Sequence, residues 1–150
     1  MNGLPFNTEN ARAWHEGRKT QHRELVEPQP LPFPYKVGEK VFIQEPWQRF
    51  CDEPYIYEVS YGNRPYLVNW MSPKSMPEEA SRSTAIITDI RAERVQDITD
   101  EDAKAEGAWL IFQGQTYKHA FEQLWIVAYN EASYDRNDWA WVIELKKGGE

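Results

Sequence analysis

Trp139-Ala140-Trp141-Val142-Ile143-Glu144-Leu145-Lys146 reads as a β-strand. Trp139, Trp141, Ile143 and Leu145 alternate with Ala140, Val142, Glu144 and Lys146. Successive side chains of a strand point to opposite faces, so the segment is expected to present one strongly apolar face. Before it, Tyr117, Phe121, Leu124, Trp125 and Ala128 recur at the spacing of one buried helical face, which predicts a helix there. Further upstream, Thr99 and Asp102 have capping-box spacing, and Asp100 and Glu101 suit the positive end of a short helix that stops near Glu106-Gly107.

The segment Thr84 to Val95 has strong strand propensity, whereas Met71 to Ser83 mixes Ser, Pro and charge without periodicity and is expected to be an irregular loop. Tyr55 to Tyr61 alternates aromatic residues. With Gly62-Asn63-Arg64-Pro65 as a turn and Tyr66 to Trp70 as partner, it predicts a hairpin. Val41 to Gln44 is a further strand, entered through a turn at residues 36–40, and Pro28 to Pro34 is an extended connector. The first helix is capped by Asn7 or Thr8, with Phe6 and Ala11 placed as a hydrophobic staple. It docks through Ala11 and Trp14 and ends at Gly17. The order helix, strands, helices, strand predicts an α+β domain over residues 1–150, built as a small mixed β-barrel with helices packed on its outside.

A length of 150 residues suits one such domain, and 7 Trp, 8 Tyr and 6 Phe point to a core or ligand groove built from large rings. The net charge of −7 disfavours a broad phosphate-tracking surface and leaves room for a local basic pocket. Cys51 is the single cysteine, which excludes an intramolecular disulfide and any Cys-pair zinc site; it is expected to be a small, buried or half-buried side chain. No apolar run reaches membrane-spanning length and no basic leader precedes an apolar run, so the expectation is a soluble, cytoplasmic protein.

Chemistry concentrates in Gly17-Arg18-Lys19-Thr20-Gln21-His22-Arg23. Taken alone, the cluster is accounted for by a basic helix end that complements the helix dipole. Read as a site, it offers a lysine that can act as a base when desolvated, beside the hydroxyl of Thr20. His15, His22 and His119 lack metal-binding spacing, and neither a Gly-x-Ser-x-Gly elbow nor a phosphate-cradling glycine loop occurs. No metal and no cofactor is implied.

Residues 13–21, Ala-Trp-His-Glu-Gly-Arg-Lys-Thr-Gln, are followed by Tyr35-Lys36-Val37-Gly38-Glu39-Lys40, Ser81-Arg82, the Ala105-Glu106-Gly107 helix end and the terminal strand. In order and spacing these resemble the ASCH domain family, of the kind often encoded by bacteriophages, over nearly the whole chain. The resemblance implies a β-barrel similar to the RNA-binding PUA domains, with a cleft lined by the Gly17-Arg18-Lys19-Thr20 loop. In its amidohydrolase branch, which deacylates acylated cytidine, the positions of the catalytic lysine, threonine and glutamate fall on Lys19, His22 and Glu106. His22 thus stands where that branch has its threonine, and its imidazole could act as a base or a hydrogen-bonding wall. Glu24 replaces an arginine common in related phage sequences and makes the cleft mouth less positive.

Three functions follow as expectations. The first is an RNA- or nucleotide-binding module, with Arg18, Lys19, Arg23 and Arg82 as nucleotide-binding residues and Trp47 or Trp70 stacking a base. The second is hydrolysis of a modified nucleoside by Lys19, Thr20, His22 and Glu106. The third is a phage factor that binds a host protein through its acidic surface, with Glu78, Glu79 and residues 97–106 supplying the charge.

Overall fold

The computed structural model describes residues 1–27, 33–49, 54–61 and 68–149. Its backbone is a five-stranded mixed sheet built from β1 (Asn2–Pro5), β2 (Gln21–Leu25), β3 (Lys40–Gln44), β6 (Thr84–Arg94) and β7 (Trp139–Lys147), in the order β1-β3-β6-β7-β2. A second, two-stranded sheet pairs β4 (Trp47–Gln48) with β5 (Ile56–Tyr57). Helices α1 (Thr8–His15), α2 (Glu58–Tyr61), α3 (Asp100–Ala105), α4 (Tyr117–Ala128) and α5 (Glu131–Asp135) complete a mixed α and β domain.

The closing strand β7 lies inside the sheet, between β6 and β2, and is buried from both sides. Ile143 and Leu145 join Leu4, Phe6, Trp14, Val41 and Ile43 in one apolar cluster, whereas Ala140 joins Val95, Ile98, Phe121, Trp125 and Tyr134 in another. The single apolar face expected from its alternation is therefore incomplete. Trp139 is 46% exposed at the strand's start, and Ala140 and Val142 are buried. A strand covered on both faces must be apolar on both. The register of β6 against β7 also shifts between Ile87 and Asp89, which re-phases the alternation along the pair.

The sheet is open. The expected closed barrel would need its two edges to pair, but β1 pairs with β3 and β2 with β7. Side chains occupy the gap instead: the ring of Phe6, just after β1, packs on that of His22 in β2 with centroids 4.9 Å apart.

The predicted hairpin is also corrected. Ile56 and Tyr57 pair with Gln48 and Trp47, and the chain then turns into α2, where Glu58 accepts a 2.6 Å hydrogen bond from the Thr8 hydroxyl at the start of α1. Of the expected partner, residues 68–70 are irregular, and an isolated bridge joins the following residue, Met71, to Trp47; residues 62–67, the turn and the start of that partner, lie outside the described residues. Tyr57 donates its hydroxyl to the carbonyl of Ala80 (2.6 Å), so among the described residues this aromatic run is fastened to the 71–83 loop. That loop is irregular as expected, with short 3-10 turns at Pro73–Ser75 and Glu78–Ala80. Cys51 and residues 28–32 of the proline-rich connector lie outside the described residues.

The helix signals hold. Asn7 caps α1 by accepting from the Asn10 amide, and Thr99 caps α3 by accepting from the Asp102 amide. On α4, Phe121 and Trp125 are buried and Tyr117 is half-buried as the stripe predicts, but Ala128 at its end is exposed. Among the described residues no helix is long and apolar enough to cross a membrane.

Gly107 follows α3 with φ of +96°, and a Cβ built there would stand 2.5 Å from that of Ala13 in α1. This close approach lets α3 deliver Glu106 beside the loop after α1. Gly107→Ala is expected to destabilise the fold by about 2 kcal/mol or more, from the left-handed backbone and the clash together, as read by urea denaturation.

Candidate binding cleft

The loop after α1 turns sharply. Gly17 takes φ of +78°, and the amides of Arg18 and Lys19 both donate to the Ala13 carbonyl, at 2.9 and 3.1 Å. The chain then enters β2 and the basic cluster becomes an edge strand, with Gln21, His22 and Arg23 all buried. A helix end or loop lip would leave such residues in water. Pairing with β7 draws them into the protein.

A cleft of about 940 Å³ opens between the two edges of the sheet. Pro5 and Phe6 form one wall, His22, Arg23 and Glu24 the opposite one, and Leu124, Trp125 and Ala128 of α4 close a side, which accounts for the incomplete burial of that helix's stripe. Glu106, the C-cap residue of α3, also lines it and is 4% exposed.

Glu106 is held from behind. Lys19, 1% exposed, donates from Nζ to the Glu106 carbonyl at 2.9 Å and lies 3.7 Å from carboxylate Oε2. The ammonium also sits 5.4 Å from the centre of the Phe6 ring. Arg23 NH1 is 3.8 Å from the same Oε2 and donates to Gln21 Oε1. Arg23 NH2 faces Glu93 at 3.4 Å and Asp102 at 3.7 Å. The network continues outward through Gln21 to Glu144 (2.6 Å) and from Glu144 to Arg91 (2.9 Å). Burial pushes the Lys19 ammonium below its ordinary pKa; the Glu106 carboxylate opposes the shift and Arg23 reinforces it. Nearby, burial pushes the Tyr129 phenol up to about 12, so a neutral hydroxyl lines the cleft, and it accepts from the Leu25 amide at 3.2 Å.

Among the described residues, the buried side-chain nitrogens and oxygens without a hydrogen-bond partner are His22 Nδ1, Arg23 Nε and Glu106 Oε2. All belong to residues that line this one cleft. Folded proteins satisfy almost every buried polar atom, at a cost of about 1–3 kcal/mol for each one left unpaired, so the polar packing beside this cleft is less complete than elsewhere among the described residues.

The structure thus brings together Lys19, His22, Arg23 and Glu106, with Lys19 behind the wall formed by Phe6 and Glu106 and not on it. The other expected site residues lie elsewhere. Thr20 is exposed and joins the fold through its backbone, its amide donating to Ala105 and its carbonyl accepting from Leu145, both at 2.8 Å, so its hydroxyl is not placed to attack a ligand in the cleft. Arg18 donates to Glu16 (2.8 Å) and to the Gly107 carbonyl (2.7 Å) and lies over Trp109, on a separate groove of about 280 Å³. Arg82 pairs with Glu45 and stacks on Tyr57, 4.1 Å from the ring centre. Trp47 is core, donating to Ser75, and Trp70 packs edge-on against Tyr61; neither lines the cleft. Phe33, Trp141 and Tyr129 were missed as lining residues. They come from a connector, a central strand and a helix end, and their meeting is set by the tertiary fold.

Among the described residues no group of three or more His, Cys, Asp or Glu side chains is arranged to hold a metal ion. No family model, curated protein or solved structure matches the chain.

Arg82 has a structural task. Burial alone would raise the Glu45 carboxyl, but hydrogen bonds from His15 (2.8 Å) and Arg82 outweigh it and hold the group below the usual carboxylate range. A depressed folded pKa contributes stability that is present above the unfolded value and lost as pH falls through the folded one. Arg82→Ala is therefore expected to cost about 1–3 kcal/mol in urea denaturation at neutral pH, with the difference from wild type shrinking in acid.

Proposed function

We propose that the protein binds a nucleoside or nucleotide in the cleft between the sheet edges, as a domain of the ASCH type with a PUA-like fold. One observation carries this reading: the Glu106 carboxylate, 3.7 Å from the Lys19 ammonium and 3.8 Å from the Arg23 guanidinium, belongs to a residue that lines a cleft large enough for such a ligand. A fixed buried acceptor suits the N–H groups on the edge of a base, and the aromatic rings of Phe6, Phe33 and Trp141 supply apolar wall. Because Arg18 and Arg82 point away, recognition centres on the base and phosphate contributes little. Affinity measured by titration calorimetry against a nucleoside and nucleotide panel is expected to fall about tenfold or more in Glu106→Gln, the effect of losing one charge-assisted hydrogen bond. Arg18→Ala and Arg82→Ala should leave it unchanged. Absence of binding across the panel, or dependence on Arg18 instead of Glu106, contradicts the reading.

A second reading, hydrolysis of an acylated amine on the base, is favoured by the contact of Lys19 with Glu106 and by the buried, unpartnered Nδ1 of His22. His22 Nε2 lies 3.4 Å from Glu24 Oε1, which favours the proton on that nitrogen and leaves the Nδ1 lone pair free. In this scheme Nδ1 takes a proton from water as its oxygen attacks the acyl carbonyl. The tetrahedral adduct collapses with cleavage of the C–N bond, and the proton taken up by His22 passes through the Glu106 carboxylate to the departing amine, so that a carboxylic acid and the free amine leave while Lys19 steadies the charge of Glu106. N4-acetylcytidine is expected to be converted to cytidine and acetate, as followed by chromatography. Turnover should be abolished by Glu106→Ala and strongly reduced by His22→Ala, but unaffected by Thr20→Ala; loss with Thr20→Ala would contradict this assignment of roles.

A further inference from the structure

One part of the cleft wall is made of aromatic rings. Phe33 stacks on Trp141 with centroids 4.6 Å apart and planes at 29°, and it meets Tyr35 edge-on with centroids 5.4 Å apart. All three line the cleft, and Phe33 and Trp141 are only half-buried, so ring surface stays open to a ligand. Glu24 belongs to the same wall. It is the direct partner of Trp141 in the ladder between β2 and β7, and residues paired in this way send their side chains to one face about 5 Å apart. Two phenols on the lining feel its charge. Burial, and then the Glu24 and Glu39 carboxylates, push Tyr35 up; burial, with Glu24, Glu106 and Glu27, does the same to Tyr129 against the opposing Leu25 amide.

The Glu24 carboxylate has no permanent positive charge beside it. Its side chain is 24% exposed, and among the described residues its ion-pair partner is the His22 imidazole at 3.4 Å. Glu93 and Glu144, exposed to a similar degree at 25% and 29%, each face an arginine. A half-buried carboxylate beside ring faces attracts cations, because a ring turns its negative face to a positive charge. The neighbouring hydroxyls are already engaged, Tyr35 donating to the Gly3 carbonyl at 2.8 Å and Tyr129 accepting from the Leu25 amide at 3.2 Å. A primary ammonium brings three N–H donors and would leave some of them unmatched here. A cation wrapped in methyl groups has none to satisfy and gains from contact with the rings.

We infer that Glu24, Phe33, Tyr35 and Trp141 form a subsite of the cleft for an N-methylated cation, as carried by a quaternary ammonium head or a positively charged methylated ring. The rings supply the contact surface and Glu24 the counter-charge. Because Glu24, Phe33 and Trp141 are each partly exposed, a ligand in the cleft reaches them without disturbing the core. The subsite depends neither on Glu106 nor on the nucleoside reading above.

The test is calorimetric titration of the full chain with two matched pairs of compounds. Choline is set against 3,3-dimethylbutan-1-ol, its uncharged isostere, and 1-methyladenosine, a cation at neutral pH, against its neutral isomer N6-methyladenosine. In at least one pair the cation is expected to bind about tenfold or more tightly than its neutral partner, and the pair that responds tells whether the charge arrives on an ammonium head or on a base. Glu24→Gln, with folding checked by thermal melting, should reduce that preference to about threefold or less, and Phe33→Leu should weaken binding of the cation about threefold or more. Equal affinity for charged and neutral partners in both pairs overturns the inference, and so does an undiminished preference in a folded Glu24→Gln. If Glu24→Gln fails to fold, the wild-type ratios and Phe33→Leu decide, and a cation affinity unchanged by Phe33→Leu overturns the inference there. Binding of cytidine or adenosine while both cations fail removes the subsite and leaves the nucleoside reading in place; binding of a cation while every uncharged nucleoside fails does the reverse.

Discussion

The ion pair between Lys19 and Glu106 joins parts of the chain that are remote in sequence, and the surrounding architecture is arranged to keep it dry. Lys19 is fixed by the tight turn at Gly17, Glu106 by the capped end of α3, and the two meet because Gly107 lets α3 pack against Ala13 without an intervening side chain. Two charges withdrawn from water lose several kcal/mol of hydration each, and their attraction returns it only in good geometry with further polar contacts. Here the contact between carboxylate and ammonium is loose at 3.7 Å, and the arginine that could tighten it is divided among other carboxylates. Such an arrangement is poorly explained as a device for stability. On the proposed reading, it holds a carboxylate in place for an incoming donor.

The open sheet serves the same end. Had β1 paired with β2, the closed barrel would have filled the space where the cleft now lies. Phe6 and His22 hold the edges near one another by ring packing, and the cleft opens beside them. The charged residues behind β2, from Glu93 and Asp102 through Gln21 to Glu144 and Arg91, fix the direction of Arg23. Recognition in this account rests on a carboxylate beside the cleft and not on positive surface charge, in keeping with a chain of net charge −7.

Much of this was legible in the sequence, for identifiable reasons. Helix caps act over three residues, so Asn7 and Thr99 announced α1 and α3 without tertiary information. The long strands β6 and β7 carried enough β-branched and aromatic residues to be recognised. Failures came where partners distant in the chain decided the outcome. The Tyr55–Tyr61 alternation fits a strand, but the hydrogen bond from Thr8 to Glu58 and the seat of Tyr57 on Ala80 select a short helix and a different pairing. Gln21-His22-Arg23 reads as a solvated basic run until β7 is laid beside it. The same limit governs the site: Lys19, His22, Arg23 and Glu106 could be named as candidates, but the outward direction of Arg18, Thr20 and Arg82 depends on contacts with Gly107, Ala105 and Glu45 that no local pattern encodes.

The most direct measurement is a ¹³C spectrum of the glutamate side-chain carboxyl carbons recorded during titration with cytidine and with adenosine. If Glu106 receives the ligand in the cleft, its Cδ resonance shifts saturably, and those of Glu16 and Glu45, which pair with Arg18 and Arg82, stay in place. A ligand-dependent shift of Glu16 or Glu45 with Glu106 unmoved would contradict the account.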